Sequence, residues 1–181
     1  MRAIALLRGI NVGGHKIIPM AKLKTIFESV GFKNVVTFIQ SGNVLFNAAT
    51  NNSETLRIKV EKMLTDALGY DVPTIIRSAD EMKKVVSKNP FADEHVEKKT
   101  KYYVMFLEKK PMRSEQETVL AMQVKGMAFR FGTCELYCLF DAKFSGNDSP
   151  FSNVKLEKLL NQKGTTRNWA TTTKLAELAA I

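Results

Sequence analysis

The chain has 181 residues, 45% of them hydrophobic and 25% charged, which gives apolar material for one ordinary domain or two small ones. No apolar stretch approaches the ~18 residues of a membrane span, and Met1-Arg2-Ala3-Ile4 enters an apolar run without a leader-like segment. The chain therefore reads as cytoplasmic, with no membrane partner. Net charge is +9, with 15 basic and 10 acidic side chains in the first hundred residues and 12 and 8 in the remainder, a balance compatible with a polyanionic partner but not demanding one.

Only two cysteines are present. On one strand Cys134 and Cys138 stand roughly 13 Å apart at ~3.3 Å per residue. A disulfide needs Cα atoms within about 7 Å, so they read as buried strand thiols. His15 and His95 are the only histidines, too few to complete a zinc set. No cofactor is expected.

In chain order, residues 2–8 form a strand without clean alternation, as expected for one covered on both faces. After a polar loop, Pro19 suits the first turn of a helix carrying Leu23, Ile26, Phe27 and Val30, which Gly31 ends. Runs at 34–39 and 44–46 are β-rich and joined by Gln40-Ser41-Gly42-Asn43, a hairpin signal. Ser53 caps a second helix with the stripe Leu56, Val60, Met63, Leu64 and Ala67, ended by Gly69. A fourth strand at 72–77 precedes a capping box, Ser78 to Glu81, and a helix that Asn89-Pro90 stops.

Beyond a polar stretch at 92–100 the order starts again. Residues 101–107 read as a strand, Ser114 to Glu117 as a second capping box, 127–131 and 135–141 as two strands, and 152–160 as a helix. A short strand at 165–167 and a helix from Trp169 close the chain. Arg167-Asn168 then matches Arg77-Ser78, each at a strand end before a helix. The expected fold is α+β, with two ferredoxin-like (split βαβ) halves arranged as a pseudo-duplication. The halves are 1–91 with a trailing helix and 101–181 with a closing helix, joined by a connector at 92–100. In this topology the loop from Arg8 to Lys16 and the turn from Gln40 to Asn43 share one sheet end.

That convergence makes Arg8, Asn11, Gly13, Gly14, Lys16, Gln40, Ser41 and Asn43 the leading candidate site. Glycines admit backbone amides to a ligand and the cations favour an anionic oxygen such as phosphate or carboxylate. Gly9 and Gly14 have P-loop spacing, but His15 stands where the lysine belongs and the helix starts about five residues late, so the ATPase pattern fails. An architectural reading competes, in which Asn11 and Asn43 tolerate left-handed backbone, Gly42 makes the turn and Arg8 braces carbonyls.

A second cluster is Thr165-Thr166-Arg167-Asn168-Trp169. It offers a cation beside a stacking surface for a nucleotide base, or else a core tryptophan with a bracing arginine. Thr166 or Asn168 suits the cap of the last helix. Ser41 and Ser145 precede glycines without a nucleophile elbow. Glu135, Asp141 and Asp148 are scattered carboxylates. Tyr102, Tyr103, Phe106, Phe129 and Phe131 lack the glycine-aromatic signature of RNA-stacking sheets and read as core.

The blocks LLRGINVGGHKIIPMAKLK, TFIQSGNVLF and TTRNW followed by TTTKLAEL, in that order, resemble a bacterial family known only as domain-of-unknown-function family 1697. The positions carrying the resemblance are Arg8, Gly9, Asn11, Gly13, Gly14, Gln40, Ser41, Gly42, Asn43, Thr166, Arg167, Asn168 and Trp169. It implies a two-part α+β fold of ferredoxin-like halves and brings no activity, cofactor or catalytic residue. Ser149-Pro150-Phe151-Ser152 stands where the family carries a Ser-Lys-Leu-like stretch, so no lysine role is carried over there.

The leading functional expectation is binding of a phosphate-bearing ligand, a nucleotide or a nucleic acid. One alternative is an enzyme acting on a small anionic metabolite in a cleft between the halves, and another is a protein interaction module.

Overall fold

Two four-stranded antiparallel sheets organise the chain in the computed structural model, which describes residues 1–14, 16–94, 100–141, 144 and 152–181. His15, His95, Ser145, Asp148, the 149–151 departure and most of the expected connector lie outside the described residues. Two compact units emerge, Met1–Lys84 with Lys174–Ile181, and Val85–Thr173.

The first unit runs β1 (Arg2–Leu7), α1 (Met20–Ser29), β2 (Lys33–Phe38), β3 (Asn43–Asn47), α2 (Ser53–Leu68) and β4 (Thr74–Ser78). Its sheet has the order β2-β3-β1-β4. β1 is central, with Ala3 to Leu7 all buried, which is why its sequence shows no alternation. The two-residue pleat turns Ala3, Ala5, Leu7, Val44 and Phe46 toward Leu23 and Phe27 of α1 and Leu56, Val60 and Leu64 of α2. Phe27, Phe32 and Phe46 form its aromatic centre, with ring centroids 4.4 to 5.8 Å apart.

The cap of α2 is Asn52 rather than Ser53; its side chain accepts from the Thr55 amide at 2.9 Å. Either residue type suits that position, so sequence leaves the boundary free by one residue. Gly69 ends α2 at φ 77°. Glu61 ties helix to sheet, taking the Thr74 amide at 2.9 Å while pairing with Arg57. The capping box at Ser78 and Glu81 is present in both directions and opens α3 (Ala79–Ser87).

In the second unit, β5 (Lys101–Leu107), α4 (Arg113–Leu120), β6 (Met127–Phe131), β7 (Glu135–Phe140), α5 (Asn153–Leu159) and β8 (Gly164–Asn168) repeat the order. The sheet is β6-β7-β5-β8, and α6 (Trp169–Ala179) follows. The repeat extends to register. Ile4 pairs with Arg77 and Val104 with Arg167. Each arginine's Nη1 donates to the carbonyl of the residue before it, at 3.0 Å to Ile76 and 2.9 Å to Thr166.

Two sequence expectations need correction in this unit. The second box starts earlier, with Glu115 taking the Met112 amide at 2.7 Å, so Ser114 lies inside α4. Cys138 is buried on β7, but Cys134 is half-buried in the turn before it, and no disulfide joins them.

Candidate functional site

One end of the first sheet gathers three chain segments. Leu6 pairs with Asn43 where β1 meets β3. The Leu7 amide donates to the Gly42 carbonyl at 2.8 Å, and the Arg8 amide to Pro73, just before β4, at 2.9 Å. The Arg8 to Lys16 loop and the Gln40 to Asn43 turn are therefore neighbours although about thirty residues separate them.

Asn11 is the knot that holds them. Its Oδ1 accepts the Ile18 amide at 2.7 Å, and its Nδ2 donates to the carbonyls of Ile18 at 3.2 Å and Gln40 at 2.8 Å. Its own amide donates to Lys16 at 3.1 Å. With φ 53° it holds the left-handed conformation that asparagine tolerates. Replacing Asn11 with alanine removes the three side-chain bonds and leaves a Cβ residue in left-handed backbone. The expected loss is about 2 to 3 kcal/mol, at roughly 1 kcal/mol per bond, read as a fall in the urea midpoint at constant slope. A loss below half of that would show the loop to be held elsewhere.

The other candidates divide between architecture and exposure. Asn43 is fully buried; its Nδ2 donates to Phe38 O at 3.0 Å and Ser41 Oγ at 3.1 Å, bracing the hairpin turn. Gln40 is exposed and Arg8 half-buried. Gly13 and Gly14 are exposed, at φ 58° and 77°, and their amides donate to no described residue. A Cβ on either would meet nothing within 4 Å, so backbone conformation rather than crowding calls for glycine. Lys16, also left-handed at φ 49°, is exposed; its Nζ donates to the Asp71 carbonyl at 3.0 Å and lies 4.7 Å from the Tyr70 ring centre. The Asp71 carboxylate accepts from Thr65 Oγ1 at 3.2 Å.

Charge is less evenly spread than counting by hundreds implies. Residues 1–53 carry six lysines and arginines against one acid, Glu28, whereas 54–100 balance at nine each. The surplus of the first hundred residues thus lies wholly within 1–53; of its six cations Arg8 and Lys16 stand at this sheet end, Lys22 and Lys24 lie on α1, and Arg2 and Lys33 face Asn47 at the other end of the sheet.

Sequence reasoning passed over three aliphatic side chains here. Val12, Ile17 and Ile39 are 64%, 69% and 45% exposed. Each is the chain neighbour of a residue in the Asn11 knot. Ile39 also holds φ 49°, an uncommon conformation for a β-branched residue. Apolar residues interrupting an otherwise polar loop were the available signal.

The second cluster lies in the second unit and is spent on packing. The Arg167 side chain is 6% exposed; its Nη1 donates to Thr165 Oγ1 at 2.8 Å as well as to Thr166 O, and burial brings its pKa down to about 10. Trp169 stacks on Tyr102 at 4.5 Å and 14°, so Tyr102 covers one face of the indole. Asn168 caps α6, taking the Thr171 amide at 2.7 Å. Tyr102 itself donates to Asn89 Oδ1 at 2.5 Å and meets Phe91 edge-on. Phe106 and Phe129 are fully buried and Tyr103 stacks on Phe140, so these strand aromatics fill core. Glu135 is buried, with its Oε2 taking the Cys134 amide.

Burial raises the Tyr102 phenol, helped by Tyr137 and Cys138, and raises that of Tyr137, helped by Glu135. A phenol raised in the folded state adds stability that is complete below the ordinary value of about 10 and drains away as pH climbs past it. Arg167, lowered by burial, works in the opposite sense over the same alkaline range. Burial also raises the Cys138 thiol and lowers the Arg2 guanidinium, so two phenols and a thiol stand against two guanidiniums and predict a net loss. In an ultraviolet titration, two of the four tyrosines should ionise only as the protein unfolds; all four ionising together near the ordinary value would contradict this.

The paired split βαβ units define a duplicated ferredoxin-like α+β protein. The chain belongs to the family described as Protein of unknown function (DUF1697), whose model matches residues 1–137. The match includes the Asn11 knot and the hairpin turn, whereas Thr166 to Trp169 lie beyond it. The fold is similar to that reported as the structure of conserved bacterial protein SP0830 from Streptococcus pneumoniae, with a TM-score of 0.78, 21% identity and 98% of each chain covered. No curated protein matches the chain. Among the described residues, no helix is long and apolar enough to cross a membrane.

Proposed function

We propose that the loop end of the first sheet binds a phosphate-bearing ligand, a nucleotide or a nucleic acid. The observation that carries this reading is the Gly13-Gly14 pair. Two consecutive exposed amides are unbonded to described residues, between Arg8 and Lys16, in a 53-residue segment with a single acid. Oriented backbone amides with nearby cations are the donors that phosphate oxygens take. Gln40 is exposed at the same end and offers a side-chain amide. Asn11 and Asn43 shape the site without being free to contact ligand, and Arg167, Asn168 and Trp169 are left out because other groups in their own unit occupy them.

Fluorescence anisotropy of short oligonucleotides, titrated with salt, tests this. Arg8→Ala and Lys16→Ala should each weaken binding by about tenfold, the equivalent of ~1.4 kcal/mol, and each should lower the salt slope by about 1. Binding unchanged by both would reduce it to diffuse attraction.

Val12, Ile17 and Ile39 favour a second reading, an interaction surface for another protein. Aliphatic tips add little to a phosphate contact. The first reading therefore expects Ile17→Ser to leave oligonucleotide affinity within about twofold, ~0.4 kcal/mol.

A further inference from the structure

We infer that the ligand of this sheet end is an unpaired nucleotide, its phosphate on the Gly13-Gly14 amides and its base stacked on Tyr70, an assignment that rests on the phosphate reading of that loop. Tyr70 follows Gly69, whose left-handed turn at φ 77° ends α2. The half-buried ring packs against the core of the first unit, which fixes its plane. Its loop joins this sheet end because the Arg8 amide donates to the Pro73 carbonyl at 2.9 Å.

Over the ring stands the Lys16 ammonium, 4.7 Å from the ring centre. Lys16 follows Gly14 by two residues, so a single lysine side chain links Tyr70 to the loop that carries the two glycine amides. That lysine is held loosely. Its Nζ donates to the Asp71 carbonyl at 3.0 Å, and it pairs with no acid among the described residues.

Magnitudes decide what occupies the ring when ligand arrives. A cation over an aromatic ring at an exposed site is worth a factor of about two to five. Stacking one base on an aromatic side chain is worth roughly five- to a hundredfold. The base therefore takes the ring face, and the displaced ammonium exchanges a neutral carbonyl for a phosphate oxygen, forming an ion pair. In a duplex the base faces are covered by their neighbours, so an unpaired base is the one that reaches Tyr70.

Fluorescence anisotropy with a single-stranded deoxyadenosine dodecamer and with its duplex tests this, with AMP as a soluble competitor. At one salt concentration the single strand should bind at least about tenfold more tightly than the duplex. Tyr70→Leu should lose at least about tenfold toward the single strand and less than about twofold toward the duplex. The Tyr70 hydroxyl has no partner among the described residues, so Tyr70→Phe should keep both affinities within about twofold. In the unsubstituted chain, which decides the matter if Tyr70→Leu fails to fold, the strand should shift the Tyr70 ring protons upfield in NMR. It should also release the Lys16 side-chain protons from the shielding of that ring. AMP separates the two sources of such a nucleotide: displacement at concentrations matching the strand identifies a free nucleotide, and much weaker displacement a strand, with the ring in the same role. Tyr70→Leu lowering both affinities equally, or lowering neither, would overturn the inference. So would an unmoved Tyr70 ring while the Gly13 and Gly14 amides shift, which would leave phosphate binding standing. No binding of strand, duplex or AMP would remove the phosphate reading and this inference together.

Discussion

Phe46→Ala is expected to cost about 4 kcal/mol, within the 3 to 5 kcal/mol usual for deleting a buried aromatic ring. Phe46 is fully buried in the middle of β3, with the Phe27 and Phe32 rings 5.3 and 4.4 Å away. Phe27 of α1 and Phe32, just before β2, both lean on this ring, so collapse around the void is restricted from two sides. Part of the loss is transfer of the ring to water and part is the cavity left behind. Urea denaturation followed by circular dichroism should show a lower midpoint with an unchanged slope. A loss under about 1.5 kcal/mol, the range of a tolerated core swap, would mean that the aromatic centre is looser than its distances indicate.

Gly42→Ala is the second large effect, and it links the core to the site. Gly42 is buried at φ 78°, and a Cβ there would lie 2.6 Å from Ile10 Cδ1 and 2.9 Å from Leu7 Cβ. The left-handed backbone costs about 1 kcal/mol for a residue with a Cβ, and the overlap adds roughly 1 to 3 kcal/mol. The expected total is about 3 kcal/mol. Leu7 and Ile10 bracket Arg8 and Gly9, and the Leu7 amide bonds to the Gly42 carbonyl. The same substitution should therefore weaken oligonucleotide binding even under conditions where the variant remains folded. Gly13→Ala makes a useful contrast: a Cβ there meets open space, so only the backbone term, about 1 kcal/mol, should appear. Equal losses at both positions would show that packing against Ile10 is unimportant.

The fold was legible because each element carries its own local signal. Leu23, Ile26 and Phe27 at helical spacing, the unbroken apolar run of β1 and the box at Ser78 and Glu81 needed no tertiary information. From the β-α-β-β-α-β order came the sheet topology, and from that the meeting of the 8–16 loop with the 40–43 turn. Features set by three-dimensional neighbours were harder to read. Asn52 and Ser53 are both good caps, and only backbone geometry chooses between them. Asn11 reads as a turn residue, while its bond to Gln40 exists only once the hairpin is in place. Arginine is rarely buried, so nothing local marks Arg167 as interior. The match with Arg77 was the hint, and the shared i−1 carbonyl bond explains it. The basic segment at 1–53 was visible in the sequence but was averaged away by counting over longer blocks.

The most direct test of phosphate binding at the Gly13-Gly14 pair is an amide NMR titration of the intact chain with a short oligonucleotide. The expected result is saturable, correlated movement of the Gly13 and Gly14 amides, with the Lys16 amide following, and its loss in the Arg8→Ala, Lys16→Ala double variant. Unmoved glycine amides, with small shifts scattered over surface lysines, would contradict the account and leave the sheet end as architecture.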